Sequence, residues 1–189
     1  IWFRGHTNKD YYLIPSLYRM LDQKSKFYDI SMRDTLKSLT ELFKAKAFNA
    51  PELIGDKDRA ETNCLISMQH YSVPTNILDW STSAFVAMYF ALENEINGKE
   101  VKPEDEANAR IFLLNPIRMN IAREALKSSF ASRNKKIDIK FPILALSEDE
   151  RFEEYLPAYM DKNGGKEEEY PLAVYAPFVN QRIMAQRGT

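Results

Sequence analysis

A chain of 189 residues has room for one domain of ordinary size. With 44% hydrophobic and 12% aromatic residues it can bury a sizeable core, which excludes wholesale disorder. Lys and Arg total 26 against 27 Asp and Glu, a formal net charge of -1, so no global field draws the chain onto nucleic acid or an anionic membrane.

The single cysteine, Cys64, cannot form an internal disulfide, and this fits a reducing, cytoplasmic setting. With only His6 and His70 beside it, no metal site is expected. The apolar stretch 71–92 is interrupted by Pro74, Asn76 and Asp79 and does not read as a membrane span. No secretory signal is visible, and the opening on Ile1 reads as a single domain, 1–189, excised from a longer chain.

Trp2 and Phe3 open an extended segment with Arg4 expected at the end of a strand. A turn around 5–10 follows, then an apolar run from Tyr11 that Pro15 ends. Leu36, Leu39, Phe43 and Ala47 recur at helical steps, which predicts a helix over 32–50 stopped by Pro51. A second helix is expected over 58–71, with Leu65, Ile66 and Met68 or Gln69 inward, before Pro74 forces the chain out. Cys64 falls in it as a core residue.

A third helix is predicted to start at Ser81-Thr82-Ser83, whose hydroxyls can accept bonds from the first turn. Phe85, Val86, Tyr89, Phe90 and Leu92 give it a broad apolar face and mark it as buried. Residues 93–110 are polar and read as an exposed loop, 110–114 as a strand, and Pro116 suits the first turn of a helix to 127. A basic stretch, 118–140, and an acidic one, 148–169, follow. Two late strands are expected at 172–178 and 182–185. Helices in the first half and strands in the second favour an α+β fold, with the helices packed on a small mixed or split antiparallel sheet that the late strands complete.

Three constellations concentrate chemistry. In Trp2-Phe3-Arg4-Gly5 a planar guanidinium can pair bidentately with phosphate or carboxylate while the glycine lets backbone approach closely. Equally, Arg4 can stack on its aromatic neighbours or pair with Asp79. The segment 69–83 places His70, Tyr71, Asp79, Trp80, Ser81, Thr82 and Ser83 between two apolar helices. There they can meet an anionic ligand, or cap a helix and hold a loop. In 180–188, strand alternation puts Arg182, Met184 and Gln186 on one face, lining a site or merely solvated. A phosphate-binding Gly-rich loop, H-E-x-x-H, a Cys pair and G-x-S-x-G are all missing from the sequence.

Together these motifs resemble the FRG domain family, named for its N-terminal Phe-Arg-Gly. The match runs through residues 2–5, Leu13-Ile14-Pro15-Ser16-Leu17-Tyr18-Arg19, the segment 69–92, and Arg182-Ile183 with Gln186 and Gly188. Where the family tends to have Gly-x-Pro-Thr-Arg, this chain has Ser72-Val73-Pro74-Thr75-Asn76, and Ala84 stands where a proline usually follows the Asp-Trp-Thr element. The family's general activity is not settled.

A more distant resemblance is to ADP-ribosyltransferases, in which a basic residue on an early strand, a hydroxyl element and a late Glu, Asp or Gln surround NAD. Arg4, Ser81 with Thr82, and Gln186 fall in that order. The resemblance implies NAD as cofactor, with Arg4, Ser81, Thr82 and Gln186 catalytic. His70, Tyr71, Asp79, Trp80, Ser83 and Arg182 would bind the ligand. The product would be an ADP-ribosylated macromolecular acceptor, or free ADP-ribose from simple NAD hydrolysis. Gln186 cannot act as a general base, so transfer to an intrinsically nucleophilic acceptor, or hydrolysis, is favoured over transfer to a carboxyl or amine. The alternative is a non-catalytic module that recognises a nucleotide or other small anionic ligand in the same place. A purely structural interaction domain is a third reading.

Overall fold

The computed structural model describes residues 1–20, 32–47, 60–98, 108–131, 145–146, 155–157 and 170–175. The fold is α+β, with helices mostly in the first half. Two compact units emerge, one from Ile1–Tyr12, Asp79–Ala145 and Pro171–Thr189, the other from Leu13–Leu78 and Leu146–Tyr170.

In the first unit, β1 (Trp2–His6) pairs antiparallel with β2 (Arg110–Leu114). Arg4 lies opposite Phe112, and His6 opposite Arg110. Arg4 therefore occupies the middle of its strand rather than the end. On the other edge of β1, Phe3 exchanges two backbone hydrogen bonds with Ser81: Phe3 N–H donates to the Ser81 carbonyl (2.7 Å) and Ser81 N–H to the Phe3 carbonyl (2.8 Å). β1 is thus flanked on both edges.

Side chains alternate across a strand, so Trp2, Arg4 and His6 share one face and Phe3 and Gly5 the other. Helix α4 (Ala84–Ala91) packs on β1 at Gly5, where an added Cβ would lie 1.8 Å from the Ala87 carbonyl oxygen and 2.7 Å from the Ala91 nitrogen. Only small residues fit on the helix side of so close an approach, and Ala87 and Ala91 are buried there. This corrects the expected orientation of α4. Its large apolar residues do not form the buried face: Phe85 is 80% exposed, and Tyr89 and Leu92 are exposed too.

The polar segment after α4 is not all loop. It begins with α5 (Glu93–Ile96), separated from α4 by Leu92, whose N–H is shared between the Met88 and Tyr89 carbonyls. Helix α6 (Pro116–Ala131) starts at its proline as expected, and its Asn115 neighbour accepts the Arg118 N–H on Oδ1. Asn120 is fully buried and acts as a strand partner in side-chain form. Its Nδ2 donates to the Ala173 carbonyl (2.9 Å) while its Oδ1 accepts the Ala173 N–H (2.8 Å). That clamp leads into β3 (Val174–Tyr175), whose Tyr175 sets its ring edge-on to the buried Trp2 (5.3 Å). The late strand expected over 172–178 is present at its centre; the one at 182–185 lies outside the described residues.

The second unit holds α1 (Ser16–Met20), which the sequence patterns missed, with α2 (Met32–Lys46) and α3 (Ala60–His70). Leu17, Leu36, Leu65 and Met68 are fully buried, each contributing roughly 1.5–3 kcal/mol. Cys64 is buried beside the Thr40 carbonyl and Met68 sulfur. α3 ends in a Schellman motif: Val73 N–H donates to the Met68 carbonyl and Ser72 N–H to the Gln69 carbonyl, with Ser72 at φ 60°.

A knot of hydrogen bonds joins Ser16 to the fully buried Thr75. Thr75 N–H donates to Ser16 Oγ (3.1 Å), Leu17 N–H to the Thr75 carbonyl (3.1 Å), Ile77 N–H to Thr75 Oγ1 (3.2 Å), and Thr75 Oγ1 to Gln69 Oε1. Asn76 Nδ2 donates to the Tyr155 carbonyl (3.2 Å), and its buried Oδ1 has no partner among the described residues. Among the described residues no helix is long and apolar enough to cross a membrane.

Candidate functional site

A planar guanidinium in mid-strand must find acceptors in fixed directions, and Arg4 finds acceptors within the first unit. Its Nη1 donates to the Asp79 carbonyl (2.5 Å) and its Nε to His6 Nε2 (3.0 Å). His6, as an acceptor at Nε2, carries its proton on Nδ1 and donates it to the Tyr11 carbonyl (3.3 Å). Arg4 is half-buried.

Residues 79–83 run beside β1 because of the paired Phe3–Ser81 bonds. Ser81 is buried, and its Oγ accepts the Ser83 N–H (3.1 Å). Ser83 occupies the N-cap of α4 in extended conformation (φ -104°, ψ 120°) but makes no side-chain cap bond. The hydroxyl triplet therefore shapes the approach to the helix rather than capping it. Thr82 is exposed and Trp80 half-buried. Asp79 is exposed, and its backbone carbonyl, not a helix cap, is what holds Arg4.

The structure thus brings Arg4, Asp79, Trp80, Ser81, Thr82 and Ser83 together in one unit. His70 and Tyr71 belong to the second unit, where their rings meet edge-on (5.1 Å) and Tyr71 approaches Phe43 (6.3 Å). Arg182 and Gln186 lie outside the described residues.

Sequence reasoning missed the partners that β2 brings to the Arg4 face. Phe112 stands opposite Arg4 and packs against the His6 ring (5.0 Å). The Arg110 guanidinium lies over the Phe112 ring, 5.6 Å from its centroid. The alternation in Arg110-Ile111-Phe112 held this signal, but only the register with β1 shows which face it joins.

The fold and site define an α+β domain whose first strand carries an aromatic-arginine-glycine run fastened to a turn on one edge and a helix on one face. The model of the FRG domain matches residues 1–100, and the chain belongs to the FRG domain family. No curated protein and no solved structure matches it. Each residue of the family's namesake run has a physical task here: Phe3 zips to Ser81, Arg4 fastens to Asp79, and Gly5 admits α4.

Proposed function

We propose that this FRG domain is a recognition module for a small anionic ligand of nucleotide type, held between Arg4 and the 79–83 turn. The observation that carries this reading is the Arg4–Asp79 bond, which fixes the guanidinium plane beside the 79–83 turn. A guanidinium whose plane is already fixed suits a phosphate, because little conformational freedom is lost on binding.

A second reading, cleavage of NAD with transfer to an acceptor or to water, is favoured by the Arg4–Asp79 bond, which ties Arg4 to the segment that carries Ser81 and Thr82. Loss of nicotinamide develops positive charge on the ribose, so catalysis would consist of positioning and electrostatics. Gln186 would then contact a ribose hydroxyl or position the acceptor.

One incubation separates the two readings. With purified protein and NAD, the recognition module binds NAD saturably and leaves it intact, whereas the enzyme releases free nicotinamide, and Gln186→Ala abolishes that release without altering the fold. Arg4→Lys keeps the charge but loses the fork, and should weaken binding in either case. Absence of saturable binding by folded protein would refute both.

A further inference from the structure

Four side chains form an unbroken run across the β1–β2 face that points away from α4. Arg4 donates to His6, His6 sets its ring against Phe112, and Phe112 carries the Arg110 guanidinium. At the far end of the same face Trp2 is buried against Tyr175, so the accessible end is the one that holds His6 and Arg110. Arg110 is exposed, and among the described residues its guanidinium has no acidic partner.

A guanidinium drawn to the face of an aromatic ring offers its outer side as a surface on which a nucleobase can stack. Diagonal neighbours on paired strands sit about 7–8 Å apart at the backbone, which is the separation of the Arg110 and Arg4 positions before either side chain extends. That spacing suits the base and the phosphate of a single nucleotide. We propose that Arg110, seated on Phe112, is the base-stacking platform of a nucleotide whose phosphate is taken at Arg4. This deepens, and rests on, the recognition reading above.

The alternative for Arg110 is a simple surface charge that attracts any anion. Stacking needs the plane as well as the charge, so Arg110→Lys separates the two roles.

The experiment titrates three probes, AMP, adenosine and inorganic phosphate, into the wild-type protein, Arg110→Ala and Arg110→Lys, with melting curves as the folding control. The expected result is AMP binding at least roughly tenfold more tightly than phosphate or adenosine alone, in line with the worth of one stacked base. Both variants should bring AMP to within about twofold of phosphate, with Arg110→Ala also weakening phosphate itself through the lost positive charge. AMP binding no better than phosphate, or Arg110→Lys retaining the full preference for AMP, would overturn the platform and leave phosphate capture at Arg4 standing. Failure of folded protein to bind any of the three would overturn the platform and the recognition reading together.

Discussion

Gly5 faces Ala87 so closely that a Cβ at position 5 would lie 1.8 Å from the Ala87 carbonyl oxygen and 2.9 Å from its carbonyl carbon. The obstruction is helix backbone, which no rotamer change can clear. The glycine of the family motif is therefore a packing residue between β1 and α4. Gly5→Ala should cost more than about 3 kcal/mol, at the high end for overpacking. In a thermal melt this appears as a fall in Tm of roughly 6–12 °C or more, or as loss of a cooperative transition. An unchanged melt would mean that strand and helix do not approach as described.

Asn120 supplies both bonds that a strand neighbour would give Ala173. Asn120→Ala leaves a buried N–H and a buried C=O unpaired, at about 1–3 kcal/mol for each such group. Asn120→Asp keeps the acceptor but loses the donor, and so should also be destabilising at neutral pH. Urea midpoints of the two variants check this; a loss below about 0.5 kcal/mol for Asn120→Ala would contradict the clamp, since that is the range of featureless surface changes.

Ser72 holds φ at 60°, the left-handed region that a Schellman motif requires and that glycine adopts without a Cβ penalty. The family's tendency to glycine at this place thus has a local cause, and serine here is a mild strain. Ser72→Gly should raise stability by up to about 1 kcal/mol, since the removed strain is partly offset by a freer unfolded chain. A lower denaturation midpoint for the glycine variant would count against it.

Much of this framework was legible in the sequence. Helical spacing located α2 and α3, Pro116 located the start of α6, and the early Phe-Arg-Gly run pointed to a close backbone approach. What escaped was decided between segments distant in sequence. The inward face of α4 is alanine because Gly5 meets it, although apolar patterning alone favoured its larger side chains. Arg110 and Phe112 join Arg4 only through strand register, and Asn120 reads as an ordinary polar helix residue until Ala173 is beside it.

Burial pushes the Cys64 thiol up from 9.0 to about 11, with Lys44 pulling it down and Glu61 pushing it further up. Its folded value lies above its unfolded one, so its contribution to stability is complete below pH 9 and is lost as pH rises towards 11. Relative to Cys64→Ala, the wild type should lose about 2 kcal/mol across that window. Parallel pH dependence of the two proteins from 9 to 11 would contradict it. At neutral pH the native thiol should react with a disulfide reagent far more slowly than the unfolded chain does.

The central claim, a nucleotide-type ligand held at the Arg4 face, is tested most directly by amide and arginine side-chain NMR of the labelled protein during titration with AMP. The account predicts saturable shifts concentrated in residues 3–6, 79–83 and 110–112, with the Arg4 Nε signal among the largest. Saturable shifts confined to other parts of the chain, or no shifts at millimolar AMP in a folded sample, would contradict it.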